Sequence, residues 1–295
     1  MKYFLIINPY GGKKQGPIIL NKIKPIFDSI GSELCIVETT SAGHAKELAN
    51  QTDLNNYDAL VAIGGDGTLL EVVNGMLTRD DRLKIPIGMI PGGSGNSYMH
   101  DLGLTDPIKA TNAILCGQKR LVDTIRIDTN HVIQYAMNMI GWGLVADVGK
   151  MAENCRWLGP NRYTILSVLE VFRKKNHFAT LIMDNEKIED DFTFIIACNS
   201  IHIGNGMKMA PKAKLDDGLI DLIVIRSNIS RSRLLKTLPK LFDGTHIHEP
   251  EVSYYQTSQF SLHPKQNVTL NIDGEIMGST PIKVKMIPKT IEIFS

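Results

Sequence analysis

The strongest constraint on the fold is an alternation of short apolar runs with amphipathic stretches over residues 1–120. The apolar runs are nearly uninterrupted, as expected of strands buried on both faces: Tyr3–Ile7, Leu34–Val37, Ala59–Ile63 and Ile87–Ile90. Helical periodicity is found between or after them, at about 17–29, 43–51, 69–78 and 107–116. This alternation predicts a doubly wound parallel α/β domain over residues 1–120.

The pattern of predicted elements changes at about Leu121: strand-like segments become frequent and helices become rare. Helices are predicted only at Arg162–Arg173 and at Ser230–Phe242, the second with Ser230 as its N-cap. The predicted strands are Val122–Asp128, Val132–Met139, Ala179–Met183, Phe192–Ala197, Leu219–Val224, Phe260–Leu262, Val268–Ile272 and Ile282–Met286. Residues 121–295 therefore read as a mostly antiparallel β domain.

Composition excludes several classes of protein. A formal net charge of +1 argues against binding nucleic acid through bulk charge. The four cysteines are scattered without a CxxC pair, which favours reduced thiols in the cytoplasm over disulfides or a zinc site. Asn8-Pro9 ends the first apolar run too early for a signal peptide, and no segment approaches the roughly 18 apolar residues of a membrane span.

Glycine-rich turns follow three of the predicted strands. Gly64-Gly65-Asp66-Gly67-Thr68 leads into a helix, Gly92-Gly93-Ser94-Gly95 follows the next strand, and a third such loop begins at Asn8. Glycines allow backbone N–H groups to approach an anion closely, and a helix N-terminus adds a positive dipole. One such turn is equally well an ordinary tight turn, but three at the carboxyl edge of one parallel sheet predict a phosphate site.

Other nucleotide and hydrolase motifs are absent. The chain has no GxxxxGK[ST] and no GxGxxG, so neither a Walker-type nucleotide site nor a dinucleotide fingerprint is expected. It also lacks GxSxG and HExxH, which removes the usual serine hydrolases and zinc proteases.

The motifs together resemble the diacylglycerol kinase catalytic-domain family, which includes diacylglycerol, sphingosine and ceramide kinases. The resemblance covers nearly the whole chain in order and rests on these segments: Asn8-Pro9, Gly64–Thr68 through Glu71-Val72-Val73-Asn74-Gly75, Pro91–Asn96 and Asp273-Gly274-Glu275. It implies an α/β domain of the NAD kinase and diacylglycerol kinase type, followed by a β-sandwich, with the active site in the cleft between them.

The resemblance also implies the ligands and their residues. ATP and Mg²⁺ are the expected cofactors, with the nucleotide contacted by Asn8, Thr39, Gly65, Asp66, Gly67, Thr68, Glu71, Gly93, Ser94, Gly95 and Asp273. Asp66 and Glu275 are the candidate catalytic carboxylates. Either one would accept the proton of a lipid hydroxyl, and the sequence does not assign the role to one of them.

A second stretch is similar to the sphingosine and ceramide kinase branch: Gly141–Val148, then Arg156-Trp157-Leu158-Gly159-Pro160-Asn161-Arg162. By this resemblance Arg156 and Arg162 contact nucleotide phosphates; the alternative is a pair of surface arginines that open a helix. Sphingosine kinases have an aspartate that meets the substrate amine, and the matching position is Gly149. This departure disfavours a sphingoid base, because an ammonium would lose its counter-charge.

Two further features remain open. Asp217, in Lys214-Leu215-Asp216-Asp217-Gly218, matches a residue that binds structural Mg²⁺ in some bacterial lipid kinases, but an Asp-Gly turn without metal explains it equally. Basic residues after the helix Arg162–Arg173 are either a solvated surface or a contact with anionic lipid.

The sequence therefore predicts an ATP- and Mg²⁺-dependent lipid kinase. Its acceptor would be diacylglycerol, a ceramide-like lipid or a sphingoid base. Its expected partners are this lipid and a peripheral membrane surface reached from the cytoplasm; a homodimer is left open, and nucleic acid is excluded. The alternatives are an NAD kinase, which shares Gly-Gly-Asp-Gly-Thr, and a catalytically inactive lipid-binding protein with the same fold.

Overall fold

A computed structural model describes residues 1–12, 14–129, 132–155, 162–184, 186–204 and 206–295. The chain divides into two compact units. The first unit comprises Met1–Val122 together with Lys289–Ser295, and the second comprises Asp123–Pro288. The division predicted from sequence, 1–120 and 121–295, differs in that the C-terminal segment belongs to the first unit.

The first unit contains a parallel sheet in which four strands follow the spatial order β4-β3-β1-β2, and Ile293 of the C-terminal segment pairs parallel with Ile87 beside β4. The strands are β1 (Lys2–Ile7), β2 (Glu33–Glu38), β3 (Ala59–Gly64) and β4 (Ile87–Pro91). The helices are α1 (Gly16–Ser29), α2 (His44–Gln51), α3 (Asp66–Leu77), α4 (Ser97–Asp101) and α5 (Pro107–Cys116). The predicted parallel α/β domain is confirmed, and β1, β3 and β4 are buried as their apolar runs require.

The later strands pair antiparallel. These strands lie in the second unit, except that the ends of β5 and β17 belong to the first. Their bounds are β5 (Lys119–Asp128), β6 (Ile133–Ala136), β7 (Met139–Gly143), β8 (His177–Met183), β9 (Glu186–Cys198), β10 (His202–Ile203), β11 (Met207–Lys208), β12 (Ile220–Arg226), β13 (Val252–Thr257), β14 (Gln259–Pro264), β15 (Thr269–Ile272), β16 (Glu275–Ser279) and β17 (Ile282–Phe294). Antiparallel pairs run in the order β16-β15-β7-β9-β8-β14-β17, and β12 pairs with β9 and β13. This confirms the predicted antiparallel β domain.

In the described residues, the α-helices that accompany these strands are α6 (Leu144–Asn154), α7 (Arg162–Arg173) and α8 (Arg231–Thr237), and a 3₁₀ helix spans Thr245–His248. Ser230 caps α8 as predicted, since its hydroxyl accepts a hydrogen bond from Arg233 N. The helix expected up to Phe242 ends as an α-helix at Thr237, and a short 3₁₀ turn at Leu238–Leu241, with Pro239 inside it, follows. Among the described residues, no helix combines the length and apolar character needed to cross a bilayer.

Asp221 on β12 is a fully buried carboxyl in the second unit. Its Oδ1 accepts hydrogen bonds from Tyr254 Oη (2.6 Å) and Gln256 Nε2 (3.0 Å), while Oδ2 has no hydrogen-bond partner in the described part of the chain. Burial raises the pKa of the Asp221 carboxyl above its usual value. The folded state therefore binds this proton more tightly than the unfolded state does.

Substituting Asp221→Asn should change how stability depends on pH. A raised folded-state pKa contributes stability below the unfolded-state pKa, and that contribution is lost as the pH rises through the folded-state pKa. The variant keeps an amide oxygen for Tyr254 and Gln256 but has no proton to lose. Urea unfolding at a series of pH values from about pH 4 upwards should show the wild type losing stability relative to the variant as the pH rises, by about 1 kcal/mol or more in total. If the free energy of unfolding depended on pH in the same way for wild type and variant, the prediction would be contradicted.

Candidate active site

Three glycine loops lie together at the carboxyl end of the parallel strands in the first unit. A Cβ atom on Gly65 would lie 2.9 Å from Gly93 Cα, and one on Gly12 would overlap the carbonyl oxygen of Gly92. The loops therefore pack backbone against backbone, which leaves room for no side chain at these positions. Main-chain N–H groups from several loops can face one ligand in such an arrangement, as a phosphate site requires.

Asn8 organises the first of these loops. Its Oδ1 accepts hydrogen bonds from Tyr10 N and Gly11 N, both at 3.0 Å, so it closes an Asx turn directly after β1. Its Nδ2 donates to Thr68 Oγ1 at 3.3 Å, on the first turn of α3. The predicted residues Asn8 and Thr68 are thus brought into direct contact.

Asn96 organises the glycine loop that follows β4. It adopts the left-handed conformation, with φ of 48°. Its Oδ1 accepts from Gly93 N and its Nδ2 donates to Gly93 O, each at 2.9 Å, which closes a tight loop around Ser94 and Gly95. The Ser94 side chain is exposed at the tip of this loop.

Asp66 is the first residue of α3, whereas the sequence placed the helix start at Thr68. Its two carboxylate oxygens accept hydrogen bonds from the main chain just after the glycine loop that follows β4: Oδ2 from Ser97 N at 2.9 Å and Oδ1 from Tyr98 N at 3.2 Å. Burial raises the pKa of the Asp66 carboxyl, and the bonds from Ser97 and Tyr98 act in the opposite direction. The result is a carboxylate fixed between two glycine loops, with a better proton affinity than an exposed aspartate.

Glu71 lies one turn further along α3 and holds a different loop. Its Oε1 accepts from Gly43 N at 2.9 Å and its Oε2 from Ala45 N at 3.1 Å. The carboxylate thereby fixes the connection between β2 and α2, which begins at the buried Thr39. Both oxygens of Glu71 are thus bonded to the main chain of this loop. If Glu71 influences nucleotide binding, it does so at least in part by holding this loop in position.

Asp273 and Glu275 lie at the hairpin between β15 and β16 in the second unit. Asp273 and Gly274 both have positive φ, 51° and 95°, which is the geometry of a two-residue type I′ turn. The buried Asp273 carboxylate accepts three main-chain hydrogen bonds, from the N–H groups of residues 137, 138 and 139, at 2.7, 2.8 and 2.7 Å. Asp273 thus anchors the turn that presents the half-buried Glu275.

Comparison with known proteins agrees with this arrangement. The family model described as diacylglycerol kinase catalytic domain matches residues 2–127. The model described as YegS C-terminal NAD kinase beta sandwich-like domain matches residues 138–295, more than half of the chain. The chain belongs to the diacylglycerol kinase catalytic-domain family of lipid kinases.

Individual relatives bear out the family. "Sphingosine kinase 1" of Arabidopsis thaliana is 32% identical over 94% of this chain and 68% of its own length. "Diacylglycerol kinase" of Bacillus subtilis (strain 168) is 26% identical over 94% of this chain and 90% of its own length. A solved diacylglycerol kinase structure from Bacillus anthracis str. Sterne has a TM-score of 0.80 at 22% identity, covering 99% of this chain and 96% of that one. The last likeness concerns the fold.

Three residues that the lipid-kinase resemblance singled out are not tested by this geometry. Arg156 lies outside the described residues, and Arg162 begins α7 with a side chain that is likewise not described. Asp217 is exposed, and its Oδ1 accepts a hydrogen bond from Leu219 N at 3.1 Å within its own turn. No group of three or more His, Cys, Asp or Glu side chains suited to a metal ion occurs in the described part of the chain. A metal at Asp217 stays a prediction.

Sequence reasoning missed two groups that shape the site of this lipid kinase. One is Asn96, which the sequence analysis names only as the end of the Pro91–Asn96 motif, although asparagine after a glycine turn often closes the turn through its side chain. The other is the set of main-chain N–H donors to Asp66 and Asp273. Main-chain donors have no residue-type signature, so no motif could have revealed them.

Proposed function

We propose that this chain transfers the γ-phosphate of ATP to a hydroxyl group of a membrane lipid, with Mg²⁺ as the accompanying ion. The observation that carries the proposal is the meeting of three glycine loops around Asp66 in the first unit. Main-chain N–H groups of the loops are suited to phosphate oxygens. The carboxylate beside them is suited to the proton of the attacking hydroxyl.

The chemistry follows the general pattern of phosphoryl transfer. The lipid hydroxyl oxygen forms a bond to the γ-phosphorus, the bond from that phosphorus to the β–γ bridging oxygen breaks, and ADP leaves. The hydroxyl proton passes to a carboxylate, for which Asp66 and Glu275 are the candidates. The raised pKa of Asp66 favours proton acceptance there.

The donor set around Asp66 fits a hard divalent cation. The carboxylate oxygens accept main-chain hydrogen bonds from Ser97 N and Tyr98 N, and the Ser97 side chain adds a further one. Carboxylate oxygens are also the ligands that Mg²⁺ prefers. When bound, Mg²⁺ would neutralise the phosphate charge that builds up during transfer. Asp66 would hold the ion or a water on it, and the glycine loops would hold the phosphates.

For the acceptor we favour a neutral lipid, diacylglycerol or a ceramide-like lipid. By the family resemblance, position 149 is where a cationic sphingoid base would need a carboxylate, and this chain has Gly149 there. The space for a side chain is filled: a Cβ on Gly149 would overlap Asn271 Nδ2 and lie 2.9 Å from Ile276 Cδ1. Asn271 is itself held, because its Oδ1 accepts from Gly274 N at 2.9 Å. The neutral side-chain amide of Asn271 thus occupies the space where a sphingoid-base kinase would have a carboxylate.

This packing predicts that Gly149→Asp alone will lower stability without conferring activity on sphingosine. The double substitution Gly149→Asp with Asn271→Ala relieves the overlap. It should raise the kcat/KM ratio of sphingosine to diacylglycerol about tenfold over Asn271→Ala alone, because a carboxylate would then meet the ammonium. Steady-state assays of both lipids and a thermal melt of each variant test this. A single variant as stable as wild type, or an unchanged ratio in the double, would contradict it.

A sphingoid base is the second candidate acceptor, because the Arabidopsis relative at 32% identity is named a sphingosine kinase. An NAD kinase is disfavoured on two counts. No Asn-Glu dipeptide follows the second glycine turn, where Asn96 is followed by Ser97, and the Asp273-Gly274-Glu275 turn is typical of the lipid kinases. Since the acceptor resides in a bilayer, we also propose that the protein works in the cytoplasm as a peripheral membrane protein.

Two measurements test the proposed function. A thermal shift by ATP with Mg²⁺ separates it from an inactive lipid-binding protein, which should not respond to nucleotide. Mixed micelles containing diacylglycerol, ceramide, sphingosine or monoacylglycerol, with NAD as a soluble control, then identify the acceptor. We expect label from γ-labelled ATP in a neutral lipid; label in NAD alone, or no ATP binding, would refute the proposal.

A further inference from the structure

Strand β13 lies at an edge of the main sheet. It pairs antiparallel with β12 along its whole length, from Ile220 opposite Thr257 to Ile225 opposite Val252. Within the described part of the chain, β12 is its only strand partner. The main-chain N–H and C=O groups on the other side of β13 therefore face no strand among the described residues. Such a row of groups is a template for pairing with a further strand.

The sequence of β13, Val-Ser-Tyr-Tyr-Gln-Thr, has none of the features that protect an edge strand. Natural proteins protect such strands with charged residues, proline or a bulge. β13 contains no charged residue, no proline and no glycine, and its pairing with β12 keeps one register throughout. Its valine, tyrosine and threonine residues are instead among those that favour strands most.

The other edge strands of the main sheet differ, as far as the structure describes them. β2 carries Glu33 and Glu38 at its two ends. β16 contains Gly278 in the left-handed conformation, with φ of 66°, and its register with β15 shifts. β6 has only four residues. Among the described edges, β13 therefore combines length, a regular register and the absence of charge.

The two acids that precede β13 are balanced by cations of the same unit. Glu251 Oε1 accepts from Arg233 Nε at 2.8 Å, and Glu249 Oε2 accepts from Arg233 Nη2 at 2.8 Å. Lys240 also donates to Glu249. These ion pairs hold both carboxylates toward α8 and the 3₁₀ turn that follows it. The edge is therefore close to neutral beside β13 as well as along it.

A second copy of β13 matches this edge. A twofold axis perpendicular to the sheet keeps each residue on its own face, so residues that lie opposite each other must both be even-numbered or both odd-numbered. With the axis at Tyr255, this residue lies opposite the partner subunit's Tyr255. Ser253 then lies opposite the partner's Thr257, and Tyr254 opposite the partner's Gln256. Each pair is uncharged, and aromatic and hydroxyl pairs of this kind stabilise adjacent strands.

The neighbouring tyrosine is less suited to the axis position. The Tyr254 hydroxyl donates to Asp221 Oδ1 at 2.6 Å, and Lys212 Nζ lies 5.3 Å from the centre of the Tyr254 ring. Both contacts hold this ring over its own sheet. Tyr255 lies on the opposite face of β13, because successive side chains of a strand alternate.

We propose that two copies of this chain associate through β13, antiparallel about a twofold axis at Tyr255, so that their sheets become continuous. Charge selects a second copy over a charged partner strand, because β13 offers no counter-charge and is itself neutral. A six-residue strand gives roughly 20 Å of shared edge, so the dimer should be in reversible exchange with the monomer. The inference goes beyond the proposed kinase activity and does not depend on it.

Sedimentation equilibrium of the full chain at several concentrations tests the pairing. Wild type should show a reversible monomer–dimer equilibrium. Tyr255→Lys and Tyr255→Glu each place like charges on the axis and should weaken dimerisation about tenfold. An equimolar mixture of the two variants should dimerise within about threefold of wild type, because opposite charges then meet. Tyr10→Lys is the matched control, since it changes a 69% exposed tyrosine of the first unit in the same way, and it should dimerise like wild type.

Hydrogen exchange of the wild type is a second measurement, which needs no substitution. Main-chain amides of β13 should exchange more slowly at high than at low protein concentration, and those of the edge strand β2 should not. A wild type that stays monomeric up to about 100 μM would overturn the inference. So would a dimer that neither Tyr255 variant weakens, a variant mixture that dimerises no better than its components, or exchange in β13 that does not depend on concentration.

Discussion

Replacing Asp66 by Asn is expected to lower kcat for lipid phosphorylation by about a thousandfold. An amide cannot take the hydroxyl proton and is a poor ligand for Mg²⁺. It would also turn its NH₂ group toward a main-chain donor, since both carboxylate oxygens now accept from Ser97 N and Tyr98 N. Steady-state assays with ATP and the preferred lipid measure the effect.

The control for this substitution is Asp80→Asn. Asp80 is exposed in the loop after α3, so the same chemical change should leave kcat within about twofold of wild type. ATP binding by the Asp66 variant, followed by thermal shift, shows that the site has not simply unfolded. A folded Asp66→Asn variant with kcat within tenfold of wild type would contradict the role given to this carboxylate.

Steady-state assays at a series of pH values also decide whether Asp66 or Glu275 accepts the proton of the lipid hydroxyl. Glu275→Gln also removes a proton acceptor, while the glycine loops and their hydrogen bonds in the first unit stay intact. If Asp66 is the base, the pH profile of kcat in Glu275→Gln should keep its acidic limb. If Glu275 is the base, that limb should disappear in the Glu275 variant.

The second large effect is expected on stability. Asp273→Asn should lower the free energy of unfolding by about 3 kcal/mol, because a buried carboxylate that accepts three main-chain N–H bonds is replaced by an amide. The amide offers one acceptor oxygen, and its NH₂ group would face N–H donors. Urea unfolding followed by circular dichroism measures the change.

Asp191→Asn is the matched control in the second unit. Asp191 is exposed, and the same substitution there should change the free energy of unfolding by less than about 0.5 kcal/mol. An Asp273→Asn variant within 1 kcal/mol of wild type would show that the three bonds do not hold the turn before Glu275.

The first unit was largely predictable because its signals are local. Apolar runs such as Ala59–Ile63 mark strands buried on both faces, and glycine turns mark their carboxyl ends. The start of α3 was placed two residues late, at Thr68 instead of Asp66, because Gly67 suggested that the turn continued. The helix begins earlier because Gly65, in an extended conformation, serves as its N-cap.

The second unit was harder, because distant contacts determine its local structure. Helix α6 was not predicted, since Gly141 and Gly143 before it and Gly149 inside it suggest loop. Packing of Leu144 and Val148 in the buried cluster stabilises it instead. The partners of Asp273 are more than 130 residues away along the chain, beyond the reach of any local pattern.

The central claim is that this lipid kinase moves the terminal phosphate of ATP onto a lipid hydroxyl. The most direct measurement compares ATP labelled in the γ-phosphate with ATP labelled in the α-phosphate, using wild type and Asp66→Asn with the lipid panel. The account predicts label in one lipid from γ-labelled ATP, none from α-labelled ATP, and almost none with the variant. Lipid labelled from both nucleotides, equal labelling by the variant, or label found in NAD alone would contradict it.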